Sequence, residues 1–336
     1  MILVTGGTGL VGAHLLLQLV EGENSVRALY RTEASKTKTK KLFAHYNKLP
    51  LFEKIEWVEG DIVDIPSLEA AFANVTYVYH CAALISFDPK DEELLRKTNI
   101  EGTANVVNCA LAFRVLKLCY VSSIAALGDL KEHETVITEE TEWNPEATHS
   151  DYAITKHGAE MEVWRAWQEG LKVVIVNPGL IFGYGFWSQG SGRMFKAVSK
   201  GQYFYTKGGC GVIAVEDVAN CMTQLMDSDI SGERYTLVAK QLSYRKLLFI
   251  MADGMGKKRP TIYASKSLTS VAWRLDWLLS KLLMRKRLMT RAMAESSHEH
   301  NNYDNRKIKK SLNYTFIEVK AHVKQITNAA ITSGQL

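Results

Sequence analysis

Short apolar runs alternate with amphipathic stretches along the first half of this chain. The runs are Ile2 to Val4, Ser25 to Tyr30, Ile55 to Val58, Thr76 to His80, Leu116 to Val121 and Val173 to Val176. Near-continuous hydrophobicity over so few residues suits strands buried on both faces, which means parallel strands covered by helices. Helical spacing fills the gaps, from Ala13 to Val20, from about Glu92 to Phe113 and from about Asp151 to Gln168. The alternation predicts an α/β protein with a doubly wound parallel sheet. Ligands of such sheets bind beyond the C-terminal strand ends. The residues that follow those ends are therefore the ones to read for chemistry.

Past residue 180 the pattern changes. Glycines at 183, 185, 190, 192, 201, 208, 209 and 211 punctuate a loop-rich stretch carrying Phe182, Tyr184, Phe186, Trp187, Tyr203, Phe204 and Tyr205. We expect residues 1–180 to form the sheet domain and 212–240 to return to it. Residues 181–211 and 241–330 would then make a smaller C-terminal substrate lobe. The aromatics fit either an apolar substrate surface or plain core.

Composition narrows the class. The chain has 336 residues, 46% hydrophobic and 23% charged, ordinary for a globular protein with ample core. Its net charge of +5 is spread over separate clusters, which argues against nucleic-acid binding. Five cysteines, none in a C-x-x-C, read as reduced thiols with no metal site. A strand opening at residue 2 leaves no room for a signal peptide, and no apolar run nears the roughly eighteen residues a bilayer span needs. The expected location is cytoplasmic.

The first strand breaks at Thr5 into a loop containing Gly6, Thr8, Gly9, Leu10, Val11 and Gly12 just before a helix. A helix N-terminus presents unpaired N–H groups and a positive partial charge, so a pyrophosphate fits there. The glycines permit the turn, the approach of backbone to phosphate and the close packing of helix on strand. Farther on, Tyr152 and Lys156 stand one helical turn apart, on one face. A phenol is a weak acid–base at neutral pH, and a neighbouring ammonium would lower its pKa. The Ser123 hydroxyl could hold a substrate oxygen. Tyr203/Lys207 and Tyr303/Lys307 share the Tyr-x-x-x-Lys spacing. Only the first pair opens a helix some thirty residues after a strand ending in Ser122-Ser123, so the others are expected to be surface coincidence.

Taken in order, glycines 6, 9 and 12, Asp61-Ile62, Ala82-Ala83, Asn99, Ser123, Tyr152 and Lys156 resemble the extended short-chain dehydrogenase/reductases, within the NAD-dependent epimerase/dehydratase superfamily. The resemblance spans nearly the whole chain and implies a Rossmann-type fold. It implies that Asp61 and Ile62 flank an adenine, that Ala82, Ala83 and Ser122 line the cofactor, and that Asn99 lies near a Ser-Tyr-Lys proton relay. It places Pro178, Gly179 and Ile181 against a nicotinamide. It also implies a homodimer through helices near 100–113 and 153–168, where Val106, Val107, Leu111, Met161, Val163 and Trp164 could equally be core.

The second strand ends Val26-Arg-Ala-Leu-Tyr-Arg31, without the acidic residue that bonds a ribose 2′-hydroxyl in NAD users. Arg31, helped by Lys36 or Lys38, could instead pair with a 2′-phosphate. Similar wording occurs in the dihydroflavonol-reductase-like and 3β-hydroxysteroid-dehydrogenase-like branch, which favours NADP(H) and leaves NAD(H) as the alternative. Sugar-nucleotide enzymes of the superfamily usually show Arg-Pro and then Tyr-Gly-Pro after the sixth strand. Here the chain reads Asn177-Pro178 and Ile181-Phe182-Gly183-Tyr184. The expectation is a carbonyl/secondary-alcohol oxidoreductase acting on an apolar or aromatic small molecule. The alternatives are a nucleotide-sugar epimerase or dehydratase, and a non-catalytic NADP(H) sensor.

One helical stretch stands apart. Between Ser267 and Leu288, residues Leu268, Val271, Leu275, Leu278, Leu279 and Leu282 form one apolar stripe and Trp273, Trp277, Met284 and Leu288 a second. Arg274, Lys281 and Arg285 separate them. Burial between lobe and core is the leading expectation. A lid, a dimer contact and a peripheral membrane segment with Arg285-Lys286-Arg287 at headgroup level are the others.

Overall fold

A computed structural model describes residues 1–335. Seven parallel strands form the main sheet: β1 (Ile2–Thr5), β2 (Val26–Tyr30), β3 (Glu56–Glu59), β4 (Tyr77–His80), β5 (Lys117–Val121), β6 (Lys172–Pro178) and β10 (Glu233–Leu237). Their order across the sheet is β10-β6-β5-β4-β1-β2-β3. The order reverses between β1 and β4, and a crevice opens where strands diverge in this way. The fold is a Rossmann-type doubly wound sheet.

Period-two alternation divides the strand side chains between two layers. Ile2 and Val4 pack with Leu15, Leu16, Val218, Met222 and Leu225 on one face. Leu3 packs with Leu68, Phe72, Val106, Val107 and Val163 on the other. The helix Val215–Asp227 packs on this sheet and strand β10 forms one edge of it. The segment between 180 and 214 contributes β7 (Leu180–Phe182), β8 (Phe204–Tyr205) and β9 (Gly209–Ala214). β9 pairs with β7 and with β11 (Lys240–Ser243), and β8 pairs with β12 (Ile262–Tyr263). Helices Gly192–Ser199, Tyr244–Gly254 and Val319–Thr332 cover this lobe around Phe182, Phe195, Met251 and Val323.

The structure revises several expectations. The opening helix starts at Leu10 rather than Ala13, directly on Gly9. The stretch Glu92–Ala112 is helical throughout, but Arg96–Glu101 is wound as a π-helix. Phe182, Tyr184 and Phe186 are buried, whereas Tyr203 and Phe204 are exposed, so the aromatic series is part core and part surface. Val106, Val107 and Val163 are core, while Met161 is exposed. Tyr303 is half-buried rather than freely exposed: its ring packs beside Gly211, and burial pushes its phenol up to about 12.

The largest revision concerns the helix Lys266–Leu282. Its first apolar stripe is not buried between lobe and core. Leu268, Val271, Leu275, Leu278, Leu279 and Leu282 face outward, because the opposite, polar face makes specific bonds to the rest of the chain.

Candidate active site

The glycine loop is shaped by close backbone approaches. Gly6 adopts φ +71°, and a Cβ there would lie 2.6 Å from the Ala82 nitrogen, so the loop rests on the chain leaving β4. A Cβ at Gly12 would meet the Gly6 carbonyl oxygen at 2.3 Å, which locks helix against loop. At Gly9 the nearest atom would be 3.4 Å away, leaving that position open. Gly9 is the N-cap of helix Leu10–Leu19, no side chain caps it, and no acidic residue occupies its first turn. The first-turn N–H groups around Leu10, Val11 and Gly12, beside Thr8, are thus available to an anion. Thr39 Oγ1 donates to the Gly7 carbonyl at 3.1 Å and ties the next helix to the loop.

At the outer end of the crevice, Arg31 leaves β2 and Asp61 follows β3. Their charged groups are 3.9 Å apart, with the Arg31 side chain 71% exposed. Lys36 is already engaged by Glu33 at 2.8 Å, and Lys38 on the same helix is half-buried. Ile62 does not flank this end with its side chain. It is buried against Gly102, so of the expected pair only Asp61 turns outward.

Ser123, Tyr152 and Lys156, the residues expected to form a relay, lie around the end of β5. Helix Asp151–Gln168 is capped by Ser150, whose hydroxyl accepts from the Ala153 N–H, and this fixes Tyr152 in the first turn. Ser123 lies directly after β5 and its Oγ accepts from Ala125 N at 3.1 Å. Burial pushes the Tyr152 phenol up, while the Ser123 hydroxyl beside it pulls the other way. The Tyr152 ring lies 5.6 Å from that of Phe87, on the open side of the site.

Lys156 is almost wholly buried and donates to Tyr120 Oη at 2.7 Å and to the Val121 carbonyl at 2.9 Å. Burial brings its amine down to about 7, against the opposing pull of the Glu160 carboxylate. The expected lowering of the Tyr152 phenol by Lys156 is absent from this arrangement, because the ammonium is directed at Tyr120 and Val121.

Two more expectations change in kind. The Ser122 hydroxyl donates to Glu160 Oε2 at 2.6 Å and so is committed to that buried carboxylate. Asn99 sits in the π-wound turn with its amide fully used. Its Nδ2 donates to the Leu84 carbonyl and to Thr155 Oγ1, and its Oδ1 accepts from Leu84 N at 2.8 Å. Asn99 therefore holds the Ala82-Ala83-Leu84 segment in place and ties it to the relay helix. Gly179 donates its N–H to the Leu237 carbonyl at 3.0 Å, and a Cβ there would collide with the Gly211 carbonyl. That contact fixes the Pro178–Ile181 turn at the end of β6.

Sequence reasoning missed the buried support of this site. Glu160 is fully buried and accepts from Ser122, from Asn177 Nδ2 at 2.8 Å and from Arg234 at 2.9 Å. His80 bridges Thr5 Oγ1 at 2.7 Å and Thr103 Oγ1 at 3.0 Å, and burial lowers it to about 3, so it stays neutral. The one sequence signal for Glu160 is its place four residues after Lys156, on the same helix face.

These features define a dinucleotide-binding Rossmann enzyme, and the open cradle at Gly9 fits the pyrophosphate of such a cofactor. The chain belongs to the NAD dependent epimerase/dehydratase family, whose profile matches residues 2–237. It is 30% identical to a Synechocystis protein provisionally named dihydroflavonol 4-reductase, over 76% of this chain and 73% of that one. It is also 30% identical to the 4-hydroxy-2-methyl-3-oxo-4-farnesyl-3,4-dihydroquinoline-1-oxide ketoreductase of Stigmatella aurantiaca, over 76% and 73% of the two chains. Its fold matches the UDP-glucose 4-epimerase of Thermotoga maritima with a TM-score of 0.79, at 18% identity and 99% coverage of both chains. The protein is an oxidoreductase of this NAD(P)-dependent family.

Proposed function

We propose that the protein is an NADP(H)-dependent reductase that interconverts a ring ketone and the corresponding secondary alcohol. The carrying observation is the placement of Ser123, Tyr152 and Lys156 around the end of β5, in the same parallel sheet whose first strand leads into the uncapped helix at Gly9. The uncapped helix at Gly9 would hold the pyrophosphate of a nicotinamide dinucleotide, which when bound would give a hydride to the carbonyl carbon in reduction and take it from the alcohol carbon in oxidation. Ser123 donates a hydrogen bond to the substrate oxygen. Tyr152 gives its phenolic proton to that oxygen in reduction and takes it back in oxidation. Lys156 supplies positive charge next to Tyr120 and the end of β5, and Asn99 positions the loop along which the cofactor would lie.

Arg31 supports the choice of NADP(H). Its guanidinium is exposed, 3.9 Å from the Asp61 carboxylate, and as the residue that follows β2 it could pair with a 2′-phosphate. Phe87 beside Tyr152 supports a flat, apolar substrate, and the named activities of the two relatives both concern ring carbonyls.

The test follows absorbance at 340 nm with NADPH and NADH in parallel, across flavanone-type ketones, ketosteroids and aromatic aldehydes. NADPH-linked turnover that disappears in Tyr152→Phe is the expected result. Arg31→Ala should lower the preference for NADPH over NADH about tenfold, the loss of one charge-assisted phosphate contact. Cofactor that copurifies and is never consumed would instead favour a nucleotide-sugar epimerase. Activity that survives in Tyr152→Phe would sink the relay.

A further inference from the structure

The helix Lys266–Leu282 is amphipathic in the reverse sense. Thr269, Asp276 and Ser280 are buried, while Leu268, Val271, Leu275, Leu278, Leu279 and Leu282 are 44 to 70% exposed along one face. Bonds on the inner face fix this orientation. Thr269 Oγ1 lies 2.9 Å from His298 Nε2. The Asp276 carboxylate accepts from Arg285 at 2.7 Å and from the backbone N–H groups of Leu288 and Met289 at 2.9 and 3.1 Å. Turning the leucines inward would strand that carboxylate, so the apolar face is held outward.

The apolar surface does not stop at the helix. Ile262 and Tyr263 of β12 lead into it, and they pair with Phe204 and Tyr205 of β8. Ile262, Tyr263 and Phe204 are exposed as well. At the other end Leu283, Met284 and Leu288 are open to solvent, with Met284 94% exposed. Six exposed aliphatic residues along one helix face, flanked in sequence by further exposed apolar residues, mark a contact with something else.

Charge selects the occupant. Arg274 and Lys281 lie two turns apart along one edge of the leucine face, stacked over Trp273 and Trp277 at 4.5 and 4.1 Å. Lys286 and Arg287 follow the C-terminal end, while Arg285 turns back onto Asp276. Between residues 264 and 290 the sole carboxylate is Asp276, and it faces inward. Two copies of the chain meeting through this face would set the cationic edge against itself with no acid to answer it. An anionic lipid surface answers it directly, with leucines in the acyl boundary, tryptophans at its edge and cations at the headgroups. No helix among the described residues is long and apolar enough to cross a membrane.

We propose that the helix Lys266–Leu282 lies in the plane of an anionic bilayer and docks the enzyme on it. The inference is independent of the reaction assigned above.

The test is flotation of the full chain with vesicles of phosphatidylcholine alone and of phosphatidylcholine with phosphatidylglycerol, at low and high salt. The protein should float with the anionic vesicles, less so at high salt. Leu275→Gln with Leu279→Gln, and separately Arg274→Glu with Lys281→Glu, should each lower the bound fraction about tenfold. All four positions are exposed, and an unchanged melting temperature establishes that the variants are folded. A wild-type chain that stays unbound overturns the proposal. So does binding that the leucine variant leaves intact, or a wild-type dimer in sedimentation that the leucine variant splits.

Discussion

The main sheet and the helix Lys266–Leu282 are both written in regularly spaced aliphatic residues, yet they turn those residues in opposite directions. Leu3, Val4, Leu118 and Val174 are fully buried, while Leu275 and its neighbours are about half exposed. The difference lies in where the polar groups go. In the sheet, the side chains that enter the core bring or find partners there, as Lys117 does with the Leu225 and Ser228 carbonyls. On the helix, the polar residues are the inward ones, and Asp276 makes bonds that no solvent-facing orientation could preserve. Periodicity says which residues share a face. It takes the bonding of the opposite face to say which way that face looks.

The largest effect expected is chemical and lies at the end of the sheet. Tyr152→Phe keeps the ring against Phe87 and removes the phenolic hydroxyl, and with it the transferable proton and the bond to Ser123. Turnover should fall about a thousandfold, or about 4 kcal/mol in the barrier, with little change in the denaturation midpoint. Stopped-flow or steady-state measurement at 340 nm reads it. Next comes the sheet core. Leu118→Ala empties a site with no exposed surface and should cost about 3 kcal/mol in urea unfolding.

Much of this arrangement is legible in the sequence because it is set locally. The strands fall within a residue or two of their apolar runs, and the relay helix Asp151–Gln168 matches its periodicity at both ends because Ser150 caps the start. The glycine loop is equally readable, since its backbone geometry admits few residue types. What stays hidden depends on distant partners. Glu160 looks like a surface acid of a helix until Arg234, Asn177 and Ser122 converge on it. The π-wound turn at Arg96–Glu101 carries Asn99, whose amide bonds the Leu84 backbone fifteen residues away. Ile62 reads as a loop residue beside Asp61, but Gly102 leaves a hollow that its side chain fills. The outward face of Lys266–Leu282 belongs to the same class, because His298 and the backbone at Leu288 and Met289 decide it.

Lys156 offers a smaller effect that sharpens the contrast between a buried charge and an exposed apolar group. Its amine has an ordinary value of 10.5 and is brought down to about 7 by burial. Between those values the unfolded chain holds the proton more tightly than the folded one, so stability contributed by this group rises as pH rises through 7 toward 10.5. Below pH 7 the buried ammonium opposes folding. Lys156→Met should abolish turnover yet raise stability at pH 6 by about 1 kcal/mol, and the gain should shrink as the pH is raised to 9. Urea titrations at the two pH values measure it. A variant that is less stable at pH 6 would mean that the bonds to Tyr120 and Val121 outweigh the burial of the charge.

The smallest expected effect is the most direct check on the comparison. Leu275→Ala removes as many methyl groups as Leu118→Ala, from a residue 54% exposed on the outward face of its helix. Leucine and alanine differ little in helix propensity, and no cavity forms where solvent already stands. The urea midpoint should therefore move by less than about 0.5 kcal/mol in free energy, against about 3 for the sheet leucine. Equal losses at the two positions would show that the leucine face is covered in solution. The reverse orientation would then be wrong, and the case for a lipid contact would go with it. A near-silent Leu275→Ala, together with loss of vesicle flotation in the glutamine variants, would place the role of these leucines outside folding altogether.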